Sequence, residues 1–166
     1  MSKKKDLNSI RDKIDSLDER ILSLLNERAN LAIDAGKAKE DSIKYKPARE
    51  ATIFNKLKGT NKGPLSNDQI ISIYNEIISA CRSTESDLKV AYLGPEGTYS
   101  QSALKNKFGS SVETKPEPSI RSVFEEVNKG LCDFGIVPIE NSSEGAVNLT
   151  LDCLMDFELT ICGEIE

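Results

Sequence analysis

From Leu7 onward the apolar residues of this chain fall on a heptad, with Leu7, Ile14 and Ile21 on one row and Ile10, Leu17, Leu24 and Leu31 on the other. A seam sustained over three repeats requires helices packed along its whole length. The spacing predicts a first helix from Asp6 to Asp41, about 54 Å long at about 1.5 Å per residue. A stripe of that length is more than a 166-residue monomer can cover, so an equivalent helix from a second copy is expected and the chain reads as an intertwined homodimer. The next member of the first row is Arg28 instead of an apolar residue. A guanidinium placed in a seam is costly unless an anion pairs with it, and a substrate carboxylate is one candidate.

Two more helices follow. Pro47, with its fixed φ and missing N–H, suits the first position of a helix ending at Gly59. Beyond the Gly63-Pro64 break, Ser66 and Gln69 form a capping box, and Ile70, Ile73, Tyr74, Ile77 and Ile78 supply the apolar face of a third helix. After the polar stretch Arg82 to Asp87 the pattern changes to short apolar runs bounded by glycine and proline. Charge changes at the same place: residues 1–86 hold 16 basic and 13 acidic side chains, residues 87–166 hold 6 and 14. Two domains are therefore expected, 1–86 and 87–166.

Several charged residues interrupt faces that ought to be apolar. Arg28 and Lys39, eleven residues apart, are about 20° out of phase and about 16 Å apart along one helix, so long side chains from both reach one gap. Glu50 continues the row of Ile53, Phe54 and Leu57 with Arg49 beside it, and Cys81 and Glu85 extend the row of Tyr74, Ile77 and Ile78. Arg11 lies about 25 Å from Arg28 along the helix, so both reach one small ligand only across an antiparallel dimer. Any one of these alone is most simply a structural ion pair or a solvated charge. Together they describe a cation-rich pocket with two carboxyls, suited to a small dianion bearing a hydroxyl.

The strings Leu17 to Arg28, Gly36-Lys37-Ala38-Lys39 and Pro47-Ala48-Arg49-Glu50-Ala51 closely resemble the all-helical chorismate mutases, over residues 7 to 86. The resemblance implies a three-helix, all-α domain intertwined as a dimer, with chorismate held between cations and converted to prephenate. By motif, Arg28 and the partner's copy of Arg11 would bind carboxylates, Lys39 the ether oxygen, Glu50 the hydroxyl, and Arg49 would lie in the pocket wall. Three positions depart from some mutases. Glu85 stands where some carry glutamine, and a carboxyl donates a hydrogen bond only when protonated, so turnover is expected to rise toward acid pH. Cys81 stands in place of a small hydroxyl residue, and Lys46 in place of an aspartate.

From Lys89 the pattern reads strand, glycine turn, helix, repeated. Strands are expected at Val90–Leu93, Val112–Lys115, Phe134–Ile139 and Leu159–Ile165, with helices at Ser100–Phe108, Ser119–Lys129 and Ala146–Met155. The alternation argues for a partial α/β domain with a parallel sheet. Ligands in such sheets bind at the carboxyl ends of strands, where turns and helix amino-termini offer N–H groups to anions. The strings Gly94 to Ser100 and Gly135 to Gly145 fall there and resemble the start of prephenate dehydratases. By that resemblance Thr98, Ser100, Glu140, Asn141 and Ser142 would form at most half a site. The family's second lobe, its Thr-Arg-Phe motif and its ACT domain would lie beyond Glu166, so dehydration by these 166 residues alone is not expected.

Mutase followed by dehydratase is the order of the bifunctional enzymes of phenylalanine synthesis. The chain has no histidine, which excludes imidazole bases and His-paired nucleophiles. Its four cysteines are widely spaced and read as reduced thiols with no zinc site. No metal or cofactor is expected. Net charge −5 disfavours nucleic acid, and the absence of a long apolar run or leader gives the expectation of a cytoplasmic protein without a membrane partner. The competing reading is a non-catalytic helical dimerisation module fused to a small-anion-binding α/β fragment. Three separate apolar faces interrupted by Arg28, Glu50 and Glu85 argue against it.

Overall fold

The computed structural model describes residues 2–38, 47–85, 87–141 and 145–165, with the side chains of 2–5 and 141 not described. Helix α1 runs over Ser2–Lys37, α2 over Pro47–Thr60 and α3 over Asn67–Glu85. The capping box before α3 is reciprocal: the Gln69 N–H donates to Ser66 Oγ at 3.2 Å and the Ser66 N–H to Gln69 Oε1 at 2.9 Å. Helix α2 begins beside the end of α3, as an antiparallel helix pair requires, and the Glu50–Arg82 ion pair closes that end. Helix α1 packs on α3 through its second half. Leu25, Arg28, Ala29, Ala32, Ile33 and Gly36 are half-buried along it, and their three-to-four residue spacing marks one helical face. Small residues let the helices approach closely: a Cβ at Gly36 would lie 3.3 Å from Glu85 Oε2.

The heptad stripe lies on another face. Leu7, Ile10, Ile14, Leu17, Ile21, Leu24 and Leu31 are between 46% and 62% exposed. Arg28 belongs to both faces.

The second half is α/β, as expected. Strand β1 (Lys89–Leu93) is flanked in parallel by β2 (Glu113–Glu117) and β3 (Phe134–Ile136), in the order β2-β1-β3. Val90, Ala91 and Tyr92 on the central strand are fully buried, and Pro116 sits on edge strand β2, where a missing donor is tolerated. Helix α4 (Tyr99–Phe108) covers one face with Leu104 and Phe108, and α5 (Ile120–Asn128) covers the other with Val123. Ser119 caps α5 by accepting from the Ser122 N–H at 3.1 Å.

Three local expectations need correction. The strand expected to Ile139 stops at Ile136, because Pro138 brings no N–H for a ladder. The segment after it forms a small antiparallel pair, β4 (Glu140–Asn141) with β5 (Gly145–Ala146), and helix α6 begins only at Asn148 and ends at Asp156. Residues 159–165 form no strand. Leu159 packs against the Ile120, Phe124 and Cys153 cluster, while the Leu159 N–H turns back to the Phe157 carbonyl at 2.9 Å instead of joining the sheet.

Candidate functional site

Helices α1 and α2 both pack on α3, and three of the expected site residues lie along those two contacts. Glu85, in the last turn of α3, lies against Gly36 of α1. Glu50, in the first turn of α2, is half-buried and pairs through Oε1 with the Arg82 guanidinium of α3. Arg28 of α1 is close enough to act electrostatically on Glu50. Burial pushes the Glu50 carboxyl above the usual carboxylate range, opposed by Arg82, then Lys107, then Arg28.

Cys81 is buried on the same end of α3, with its carbonyl accepting from Thr84 Oγ1 at 2.7 Å. Arg49 points from the exposed side of α2, and Arg11 is exposed on the first half of α1. At 1.5 Å per residue Arg11 stands about 25 Å from Arg28 within one chain, so a single chain does not bring them together. Lys39 and Lys46 lie outside the described residues.

Arg82 went unrecognised in the sequence, where it read as the start of a polar linker. The signal was available: it stands four residues after Ile78, on the face that Cys81 and Glu85 continue. It is 6% exposed, and its Cζ lies 6.0 Å from the centre of the Phe108 ring of α4. The two halves of the chain are joined at this point. The Ser110 N–H and hydroxyl donate to Glu76 Oε2 at 3.2 and 2.5 Å, the Ser111 N–H to Ser79 Oγ at 3.1 Å, and Asn75 Nδ2 to the Asn106 carbonyl at 3.1 Å. Gly109, at φ 75°, is pressed so closely on α3 that a Cβ there would lie 2.4 Å from that of Ser79.

In the α/β half, the segments after β1 and after β3 leave the same edge of the parallel sheet, which brings the Thr98 and Glu140 segments to one side. Thr98 precedes α4 with its Oγ1 donating to the Leu93 carbonyl at 3.3 Å, and half-buried Ser100 lies in the first turn. Glu140 is exposed on β4 beside Asn141; Ser142 lies outside the described residues. The glycine turn's donors are engaged within the fold, the Gly94 N–H by the Glu117 carbonyl and the Gly97 N–H by Gln101 Oε1, both at 2.8 Å. A cleft of about 510 Å³ beside it is lined by Gly94, Pro95, Glu96, Pro116, Glu117 and Pro118. Its lining carries two carboxylates and no cation, a poor match for a dianion by itself. Among the described residues no group of side chains is placed to hold a metal ion, and no helix is long and apolar enough to cross a membrane.

Comparison with known proteins divides the chain at the same junction. Residues 10–86 match the family model for chorismate mutase type II, and residues 90–166 that for prephenate dehydratase. A bifunctional chorismate mutase/prephenate dehydratase of Stutzerimonas stutzeri is 47% identical over all of this chain and 47% of its own length. Its namesake in Pseudomonas aeruginosa is 44% identical with the same coverage, and that of Escherichia coli K12 is 32% identical over 99% of this chain and 48% of its own length. The chain thus spans about half the length of the curated relatives it matches.

Proposed function

Because this chain joins a chorismate mutase type II region to a prephenate dehydratase region, we propose that its helical half, residues 1–86, converts chorismate to prephenate as an intertwined homodimer, within phenylalanine synthesis. The observation that carries this reading is Arg28 of α1 within electrostatic reach of Glu50 of α2, with Glu85 of α3 against Gly36 of α1. The dimer is supported by the α1 stripe, whose seven apolar side chains remain about half exposed in the single chain. A second copy laid along it would bring Arg11 of the partner subunit to the pocket that Arg28 enters.

The chemistry suits these side chains. The rearrangement is a one-substrate pericyclic shift, which requires no nucleophile, no metal and no cofactor. Arg28 and Arg11 of the partner subunit hold the two carboxylates, Glu50 takes the ring hydroxyl, and Arg49 and Cys81 form the pocket wall. Binding selects the compact diaxial conformer and so removes part of the entropic barrier. Lys39 then stabilises the negative charge that grows on the ether oxygen as its bond to the ring lengthens, with Glu85 lining the same pocket.

We place the protein in the cytoplasm. Residues 87–166 form the first part of a prephenate site, with Thr98, Ser100, Glu140, Asn141 and Ser142 on its strand-end loops. We assign dehydratase turnover to the longer relatives and not to these residues alone; phenylpyruvate formed from prephenate above the acid-catalysed background would overturn that assignment. For the mutase, loss of chorismate absorbance is the direct assay. Lys39→Ala is expected to cost about 3 kcal/mol of barrier, roughly a hundredfold in rate, with the dimer intact. A wild-type chain that leaves chorismate unchanged, or a Lys39→Ala variant with full turnover, would refute the reading.

A further inference from the structure

Among the described residues Arg82 is the one basic side chain that is buried. A guanidinium withdrawn from water needs a carboxylate and gains from an aromatic face. Arg82 has both, and they come from different halves of the chain. Its carboxylate is Glu50, at the start of α2. The ring is that of Phe108, at the end of α4. Phe108 is itself fixed, 3% exposed within the cluster of Leu88, Val90, Tyr92 and Leu104, with its ring centre 5.6 Å from that of Phe134. The guanidinium therefore stands on the α/β core and holds a carboxylate of the helical half.

We propose that Arg82 is a positioning residue for the mutase pocket: it orients the Glu50 carboxylate toward the substrate hydroxyl and is itself held by Phe108, so the α/β half supports the geometry of the helical site. This rests on the reading of Glu50 as the hydroxyl acceptor. A carboxylate at the amino-terminal end of a helix has several rotamers open to it, and an ion pair with a buried guanidinium selects one. The docking of α3 on the α4 end keeps the ring in place, since Gly109 leaves no room for sliding against Ser79. Lys107 of the same α4 end adds a second influence, its charge reaching Glu50.

Among the described residues the charged groups that act on Glu50 are Arg82 from α3, Lys107 from α4 and Arg28 from α1, all cations that favour the ionised carboxylate against burial. Removing Arg82 therefore raises the Glu50 pKa further, and the acid limb of the kcat/KM profile moves to higher pH. The test measures chorismate turnover against pH for the intact wild-type chain and for Arg82→Met, Arg82→Lys, Phe108→Leu and Glu50→Gln. We expect Arg82→Met to lower kcat/KM roughly 10- to 100-fold, chiefly through KM, with its acid limb displaced upward. Arg82→Lys recovers part of the loss, Phe108→Leu shows a smaller rise in KM, and Glu50→Gln loses the limb. A wild-type chain without mutase activity would remove the underlying functional reading. An active wild type whose Arg82→Met and Phe108→Leu variants keep its KM and its acid limb would overturn the positioning role. Should Arg82→Met fail to fold, Arg82→Lys and Phe108→Leu with wild-type KM and limb would overturn it equally.

Discussion

The two halves of this chain bury their apolar residues in different ways. In the α/β half Val90, Ala91, Tyr92, Leu104 and Cys153 are completely withdrawn from water by neighbours within the same chain. In the helical half the longest apolar stripe remains open, and α2 has no fully buried residue at all. A parallel sheet with a helix on each face closes its core locally, because the crossover helices return onto the strands they connect. A 36-residue helix has no such neighbour long enough, and in the proposed dimer a second copy covers its stripe. The helical half, on this view, owes its stability to protomer concentration and the α/β half does not.

The largest expected effect comes from charging the stripe. Ile14→Asp with Ile21→Asp should remove roughly 5 kcal/mol or more from dimer stability, converting the chain to monomers in analytical ultracentrifugation and abolishing mutase turnover. A dimer that survives both substitutions would break the comparison. Next is the opposite half: Leu104→Ala, at a fully buried site, should cost about 2–5 kcal/mol in denaturant unfolding. That loss should be independent of protein concentration, and a concentration-dependent loss would show the two cores to be one. Gly109→Ala addresses the seam between them. A Cβ at positive φ against Ser79 should cost about 1–3 kcal/mol, read as a lower midpoint together with a raised KM for chorismate if the junction supports the pocket. The smallest is Ser119→Ala, which deletes the α5 cap and should cost about 1 kcal/mol. It should lower the midpoint of the α/β half and leave chorismate turnover unchanged.

Periodic features were legible along the chain. The three helices, the Ser66–Gln69 box, the Ser119 cap and the three parallel strands all come from spacings of a few residues, which local chemistry specifies. Short or context-dependent features were not. The β4–β5 pair has two residues per strand, too few for any pattern, and Leu159 with Ile161 alternates like a strand although its backbone meets no ladder. The candidate site residues divide in the same way: Arg28, Glu50 and Glu85 stand out as charges on apolar faces, while Arg82 opens a polar stretch and meets Glu50 and Phe108 from afar in sequence, Glu50 by 32 residues.

Sequence alone determined the order of an all-helical half and a parallel α/β half, the apolar stripe along the first helix, and the charged residues set into apolar faces. Those properties follow from side-chain periodicity and charge, which are written residue by residue. Only the tertiary structure decided which carboxylate meets which cation, and that an arginine of α3 bridges Glu50 to the Phe108 ring. Such contacts depend on how whole elements dock, and docking is set by the summed packing of distant segments, not by any local pattern.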